Sequence, residues 1–268
     1  MQVELIGCTS AGKSTITKQI IARGRQRGLQ VSSSYDYVLA RHHLGWIKPH
    51  SLRMLLLNSL ALGYCLGLAW RHWALLRFVF GILRTLPATV SRQERIKIAR
   101  ITLRNLGIHA IIARAGHQPN HLILADEGAI QVVHYLFVHL RTAPPLDQLA
   151  AYLQRTPLPN LVLYYRQPRE LLLARTLRRG HKRIPERTAE NVAQFIDHAI
   201  YVFEHVADEP IIRQRTLVVD GQAHHVEYRP VVGAPPCTRQ EQALVDLVTT
   251  LIGEEMPSKL VHDNKTPS

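Results

Sequence analysis

The chain has 268 residues, 46% hydrophobic and 6% aromatic, with 33 Lys+Arg against 20 Asp+Glu for a net charge of +13. That length and apolar content fit one large domain or one domain with an insertion, and exclude a wholly disordered chain. Three cysteines (Cys8, Cys65, Cys237) form no disulfide framework or zinc pattern, and the fifteen histidines show no metal-ligand spacing. The positive charge is concentrated: residues 41–114 hold twelve Lys or Arg and one acid, Glu94. Such a surface asks for an acidic partner: a nucleotide, a nucleic acid or an anionic membrane.

In chain order, the apolar run 3–6 predicts a first strand and 13–27 a helix, with Gly28 where a helix-ending glycine belongs. A second strand at 30–33 enters a loop carrying Asp36. Residues 51–115 read as mostly helical, with Ser51 as N-cap after Pro49, a charge-free run at 54–70, and a stop at Pro87. "SRQE" at 91–94 is a capping box, in which serine and glutamate each satisfy an orphan amide of the next helix. "HLILADEG" predicts a buried third strand at 121–125 ending in two acids, followed by helices at 129–140 and around 145–156. "NLVLYY" gives a fourth strand at 161–165. The helix after it has Pro168 in its first turn and Gly180 past its end. A helix at 188–207, a fifth strand at 216–220 and an edge strand in "HHVEYRPV" follow. A last helix is capped by Thr238 and Glu241, and the tail 253–268 lacks periodicity and reads as disordered. Short apolar strands alternating with helices predict an α/β chain with a parallel sheet covered on both faces.

Three constellations carry chemistry. Gly7-Cys8-Thr9-Ser10-Ala11-Gly12-Lys13-Ser14 matches G-x-x-x-x-G-K-[ST] between a strand and a helix. Its glycines let amide hydrogens converge on phosphate oxygens, and the helix adds its positive end. Residues 7–15, with Thr15 closing the turn, are thus expected to bind the phosphates of a nucleotide triphosphate. Lys13 is expected at the β- and γ-phosphates and Ser14 on Mg²⁺. In the second constellation, Asp126 ends a strand where it can complete the magnesium shell, and Glu127 can take a proton from an attacking group or orient it. In the third, Arg175, Arg178, Arg179, Lys182, Arg183 and Arg187 crowd a helix end and its following loop. Arginine forks there can neutralise a moving phosphoryl group, and the loop 175–187 can close as a lid.

Together these residues resemble the nucleoside and nucleotide kinase group of P-loop proteins, especially thymidylate kinase-like proteins. The resemblance spans 1–48 and 118–252. It implies a three-layer P-loop NTPase domain over 1–252, with five mainly parallel strands, the P-loop strand central and a helical insertion at 50–116. It also implies ATP- and Mg²⁺-dependent transfer of the γ-phosphate. Lys13, Ser14, Arg175 and Arg179 match the family pattern. Ser10 stands where many of these kinases have glycine. The thymidine-recognition pattern after the second strand is replaced by "SSSYDYVLARHH", in which Asp36 is a second candidate to receive the acceptor's proton.

The insertion has three readings. Arg92, Arg95, Arg100 and Arg104 grip an anionic acceptor over an oily helical core. Alternatively, 50–85 touches a bilayer, its 17 uncharged residues being the lower edge for a span, with arginines at 53, 71, 77 and 84 as anchors. In the third, the segment buries against another subunit or a partner. The expected function is a kinase acting on a small acceptor, a nucleoside or nucleotide, with a small anionic acceptor as its expected partner. A sugar or lipid-linked acceptor, or a regulatory or assembly ATPase at a membrane, is the alternative. No Asn-Lys-x-Asp guanine motif occurs, and few aromatics are available to stack nucleic-acid bases. The chain opens in a strand rather than a signal peptide, so a cytoplasmic location is expected, with membrane association left open.

Overall fold

The computed structural model describes residues 1–88, 90–116, 121–181, 183–184, 186, 188–221, 225–228 and 239–254. The chain is α/β, built on one six-stranded sheet of order β2-β3-β1-β4-β5-β6. The strands are β1 Gln2–Ile6, β2 Gln30–Ser33, β3 His121–Ala125, β4 Leu161–Arg166, β5 Thr216–Asp220 and β6 His225–Tyr228. The first five run parallel, and β6 pairs antiparallel with β5, so the sheet exceeds the expected five strands by this edge hairpin. Strand β1 is central: Val3 lies opposite Leu124 on one side and Leu161 on the other. Every residue of β1 is buried. Because side chains alternate between faces, both faces of the sheet are covered.

Helix α1, Lys13–Gln26, follows β1. After β2 the chain enters α2, Ser34–Arg41, where a loop is expected. The reason is local: the Ser33 hydroxyl accepts from the Asp36 amide at 3.0 Å, an N-cap the serine-rich run conceals by offering three candidates. The insertion folds as α3 (His50–Gly67), α4 (Ala69–Thr85) and α5 (Arg92–Arg114). Pro49, rather than Ser51, holds the N-cap position of α3. The charge-free run at 54–70 is not one rod, because α3 and α4 meet at Leu68 with a bend of 103°. Among the described residues no single helix is long and apolar enough to cross a membrane.

The expected helix at 129–140 shrinks to α6, Val133–Phe137. Residues 129–131 instead turn around the buried Glu4 carboxylate of β1, which accepts from the Gln131 amide at 2.7 Å. The remaining helices are α7 Leu146–Leu153, α8 Arg169–Arg179, α9 Ala189–Asp208, α10 Pro210–Arg213 and α11 Arg239–Glu254. Positions 253–254 are therefore helical; Thr238 of the expected cap and the tail 255–268 lie outside the described residues. A main apolar core runs beneath the sheet and into α4 and α5. A second, smaller core joins Tyr37, Val38 and Leu39 of α2 to Leu57 and Ala61 of α3 and Ile108, Ile111 and Ile112 of α5.

Candidate functional site

The loop 7–12 leaves the carboxyl end of the central strand and turns into α1. Its backbone accounts for its composition. Gly7 has φ +145° and a Cβ there would meet the Tyr165 carbonyl oxygen at 2.7 Å, while Gly12 has φ +100°. Ser10 also takes a left-handed conformation, φ 60°, at a position where glycine carries no such penalty. Its hydroxyl is held by Thr176 of α8, whose Oγ1 donates at 3.0 Å. Among the described residues the amides of Thr9, Ser10 and Gly12 donate to no protein acceptor, which leaves them available to an anion.

Lys13 folds back on this loop, donating to the Gly7 carbonyl at 2.8 Å and the Cys8 carbonyl at 2.9 Å. Burial lowers its ammonium pKa from the ordinary range, opposed by the nearby Asp126 and Glu127 carboxylates. Cys8 is buried in the same loop, and burial pushes its thiol up to about 12. It is therefore a neutral packing group, and its carbonyl serves as an acceptor for Lys13.

Ser14 donates its hydroxyl to Asp126 Oδ2 at 2.6 Å, joining the start of α1 to the end of β3. The other carboxylate oxygen, Asp126 Oδ1, is buried with no hydrogen-bond partner. A hydroxyl and a carboxylate with one unpartnered oxygen are hard donors of the kind Mg²⁺ takes, so these two residues fit that ion. Among the described residues no group of three or more His, Cys, Asp or Glu forms a metal cluster. A metal here would draw its remaining ligands from bound phosphate and water.

Glu127 is held from two sides. Tyr135 of α6 donates to Oε1 at 3.2 Å, and Arg104 of α5 reaches Oε2 at 3.4 Å. Burial, then the Glu127 charge, raises the Tyr135 pKa, so this phenol stays a donor. Gln131 makes a paired contact with the first loop glycine: Gly7 N–H donates to its Oε1 and its Nε2 donates to the Gly7 carbonyl, both at 3.1 Å. The Asp-Glu-Gly segment and the glycine loop are thus one connected unit.

A cavity of about 630 Å³ brings together residues 9–15, Asp126, Glu127, Tyr135, Arg179, His181 and Arg183, with Lys97, Ile98 and Ile101 of α5 on its far wall. A second cavity of about 590 Å³ lies on the other side of the loop, between Gln19, Tyr165, Arg175 and Arg178. Ser10, Ala11, Gly12, Thr15 and Arg179 line both.

The expected arginines divide into distinct roles. Arg175 donates to the Ala11 carbonyl at 3.3 Å, beside the loop. Arg179 is exposed at the junction of the two cavities. Arg183 is committed elsewhere. It donates to Glu94 at 2.6 Å and to the carbonyls of His134, Tyr135 and Val138 at 2.9–3.2 Å. That answers the capping box too: Ser91 accepts from the Glu94 amide at 3.2 Å, but the Glu94 carboxylate turns to Arg183 rather than back to the helix start. Lys182 and Arg187 lie outside the described residues.

Asp36 does not line the large cavity. It pairs with Arg53 of α3 and accepts from the Ser33 hydroxyl at 2.8 Å. Of the insertion arginines, Arg104 reaches the site, while Arg95 spends its guanidinium on the carbonyls of Leu83, Arg84, Leu86, Pro87 and Val90. Tyr135, Gln131, Lys97 and Thr176 are the site's unanticipated members. The signal for two of them was a polar side chain inside the apolar run "AIQVVHYLF", right after Asp126 and Glu127. Comparison with protein-family models and with the curated proteins finds no match to this chain.

Proposed function

We propose that the chain is a P-loop kinase, an ATP- and Mg²⁺-dependent phosphotransferase that moves the γ-phosphate to a small acceptor of the nucleoside or nucleotide class. The observation that carries this reading is the shared cavity. Lys13, Ser14 and Asp126 line the same cavity of about 630 Å³ as Glu127 and as Lys97, Ile98 and Ile101 of α5. A nucleotide hydrolase needs only the first three; in this reading the rest of the cavity gives room for an acceptor.

In this reading the loop amides and Lys13 exchange their internal partners for phosphate oxygens. The nucleoside end of the donor occupies the cavity beside Arg175 and Tyr165. Ser14 and Asp126 hold Mg²⁺, which when bound neutralises charge on the phosphate oxygens. Glu127, oriented by Tyr135 and Arg104, receives the proton of a nucleoside acceptor's hydroxyl as that oxygen bonds to the γ-phosphorus; a nucleotide acceptor attacks through an ionised phosphate oxygen and needs no base. The bond from that phosphorus to the β–γ bridging oxygen breaks, and ADP leaves. Arg179 and Arg175 offset the transferred charge. Arg183 builds the cavity wall, and the Arg53 pairing of Asp36 favours Glu127 as the base.

A screen with γ-labelled ATP across nucleosides, nucleotides and sugars tests this. Label is expected on an acceptor, and Lys13→Ala is expected to abolish transfer. Label reaching only water, at a rate no acceptor changes, would favour the second reading, a regulatory ATPase. The exposed apolar surface of α3 and α4 keeps that reading in play.

A further inference from the structure

Helix α3 buries Leu57, Ala61 and Cys65 and turns Leu52, Leu55, Leu62 and Leu66 outward at 42–62% exposure. Steps of three and four residues place these leucines, with Ser59, on one stripe. Helix α4 buries Leu75, Leu76, Val79, Ile82 and Leu83. Its outer face carries Trp70, Trp73 and Phe80, interleaved with the exposed Arg71, Arg77 and Arg84. Trp46, 74% exposed, precedes α3, so the three tryptophans of the chain bracket the leucine stripe. Scattered exposed leucines need no explanation, but a leucine stripe along one helix, with exposed tryptophans before and after it in the chain, does.

Charge selects what covers it. Between Asp36 and Glu94 the chain has seven Lys or Arg and no acid. A second copy docking through the same patch would set Arg71, Arg77 and Arg84 against a surface of like charge. An anionic bilayer accepts all three residue classes at once: arginine among the headgroups, tryptophan at the interface, leucine in the acyl layer. The 103° bend between α3 and α4 spreads them across a surface instead of through it.

We infer that the outer faces of α3 and α4 dock the protein on an anionic lipid surface. This stands on the insertion alone and does not depend on the kinase reading. The inner face of α3 packs on α5, the helix that lends Lys97, Ile98 and Ile101 to the cavity, so the lipid contact lies one helix away from the site.

Flotation with phosphatidylglycerol–phosphatidylcholine vesicles tests it, alongside intrinsic tryptophan emission, which reports on this region alone. The protein is expected to float with anionic vesicles at low salt and not with phosphatidylcholine alone. Its emission should shift to shorter wavelength and be quenched by brominated acyl chains. Replacing Arg71, Arg77 and Arg84 together by Gln is expected to weaken partitioning on the order of a hundredfold, at about fivefold each. Trp70→Ser with Trp73→Ser should weaken it too, with an unchanged far-ultraviolet spectrum showing that the fold survives. Absence of flotation at low salt, equal flotation on neutral vesicles, or no quenching of the wild type by brominated lipid would overturn the inference. So would a concentration-dependent dimer that the tryptophan double variant dissociates.

Discussion

The carboxylate of Glu4 sits in the middle of the central strand, 2% exposed, beneath the loop that follows β3. Burial pushes its pKa up to about 8, against amide bonds from Gln131, Ile130 and Ala129 that pull it down. An unfolded glutamate titrates near 4.5. Between those values the folded state keeps a proton that the unfolded state has released, so stability falls as pH rises through the window. Below it both states are protonated, and above it both are ionised, so the slope vanishes at each end. Glu4→Gln cannot ionise and should lack this loss. Urea unfolding at pH 5, 6.5 and 8 should show the wild type losing stability relative to the variant; parallel curves would show that Glu4 is charged throughout. Residues of this kind explain where sequence reading stops. The Gly7–Ser14 pattern is legible because its chemistry is local, each glycine answering to its own φ. Glu4, Gln131, Tyr135 and Arg104 matter through partners 8 to 127 positions away, and local spacing names none of those partners, even where a polar side chain stands out in an apolar run, as at Gln131 and Tyr135.

At the scale of elements, local capping and packing decided the differences. Most strand and helix positions follow from apolar runs flanked by proline, glycine or a cap. Helix α2 was hidden because serine suits a loop as well as an N-cap. Helix α6 fell short of the expected 129–140 because Glu4 claims amides that would otherwise start it. Arg95 looked like a ligand for an anion and is instead a clasp on the carbonyls that end α4. Helices α3 and α5 approach closely at Gly107, where an added Cβ would lie 1.9 Å from the Ala61 carbonyl oxygen. Alanine in a helix is favoured over glycine by about 1 kcal/mol. Here backbone blocks the space, so Gly107→Ala should destabilise by about 1–3 kcal/mol. It should also loosen α3 before the sheet. Denaturation together with hydrogen exchange of α3 amides checks both; a stabilised variant would mean the helices are free to separate.

For the molecule as a whole, three distant segments meet at Arg183: Glu94 at the start of α5, the carbonyls of α6 and the loop after α8. The lid arginine expected to move with phosphate is the joint that closes one wall of the cavity. Both partners of the ion pair are largely shielded, 11% and 29% exposed, and removing one strands the other along with three carbonyls. Arg183→Met should therefore cost about 2 kcal/mol and speed hydrogen exchange across residues 134–138. Under the proposed function it should weaken acceptor use more than nucleotide binding, because its bonds run to Glu94 of α5 and to the carbonyls of His134, Tyr135 and Val138 and, among the described residues, none runs to the loop. Equal losses in both, measured by steady-state kinetics and direct nucleotide titration, would place Arg183 on the phosphate instead.

The central place of β1 also sets an order of events during synthesis. Its neighbours in the sheet begin at His121 and Leu161. A ribosome adding about 5–20 residues per second needs roughly 10–30 s to make both. Until β3 is made the glycine loop has a strand before it but no neighbouring strand to anchor that strand, while α3 and α4, which come earlier in the chain, are already made with their leucines and tryptophans uncovered. The nascent chain thus shows its oily corner before the strand that carries its glycine loop can join a sheet.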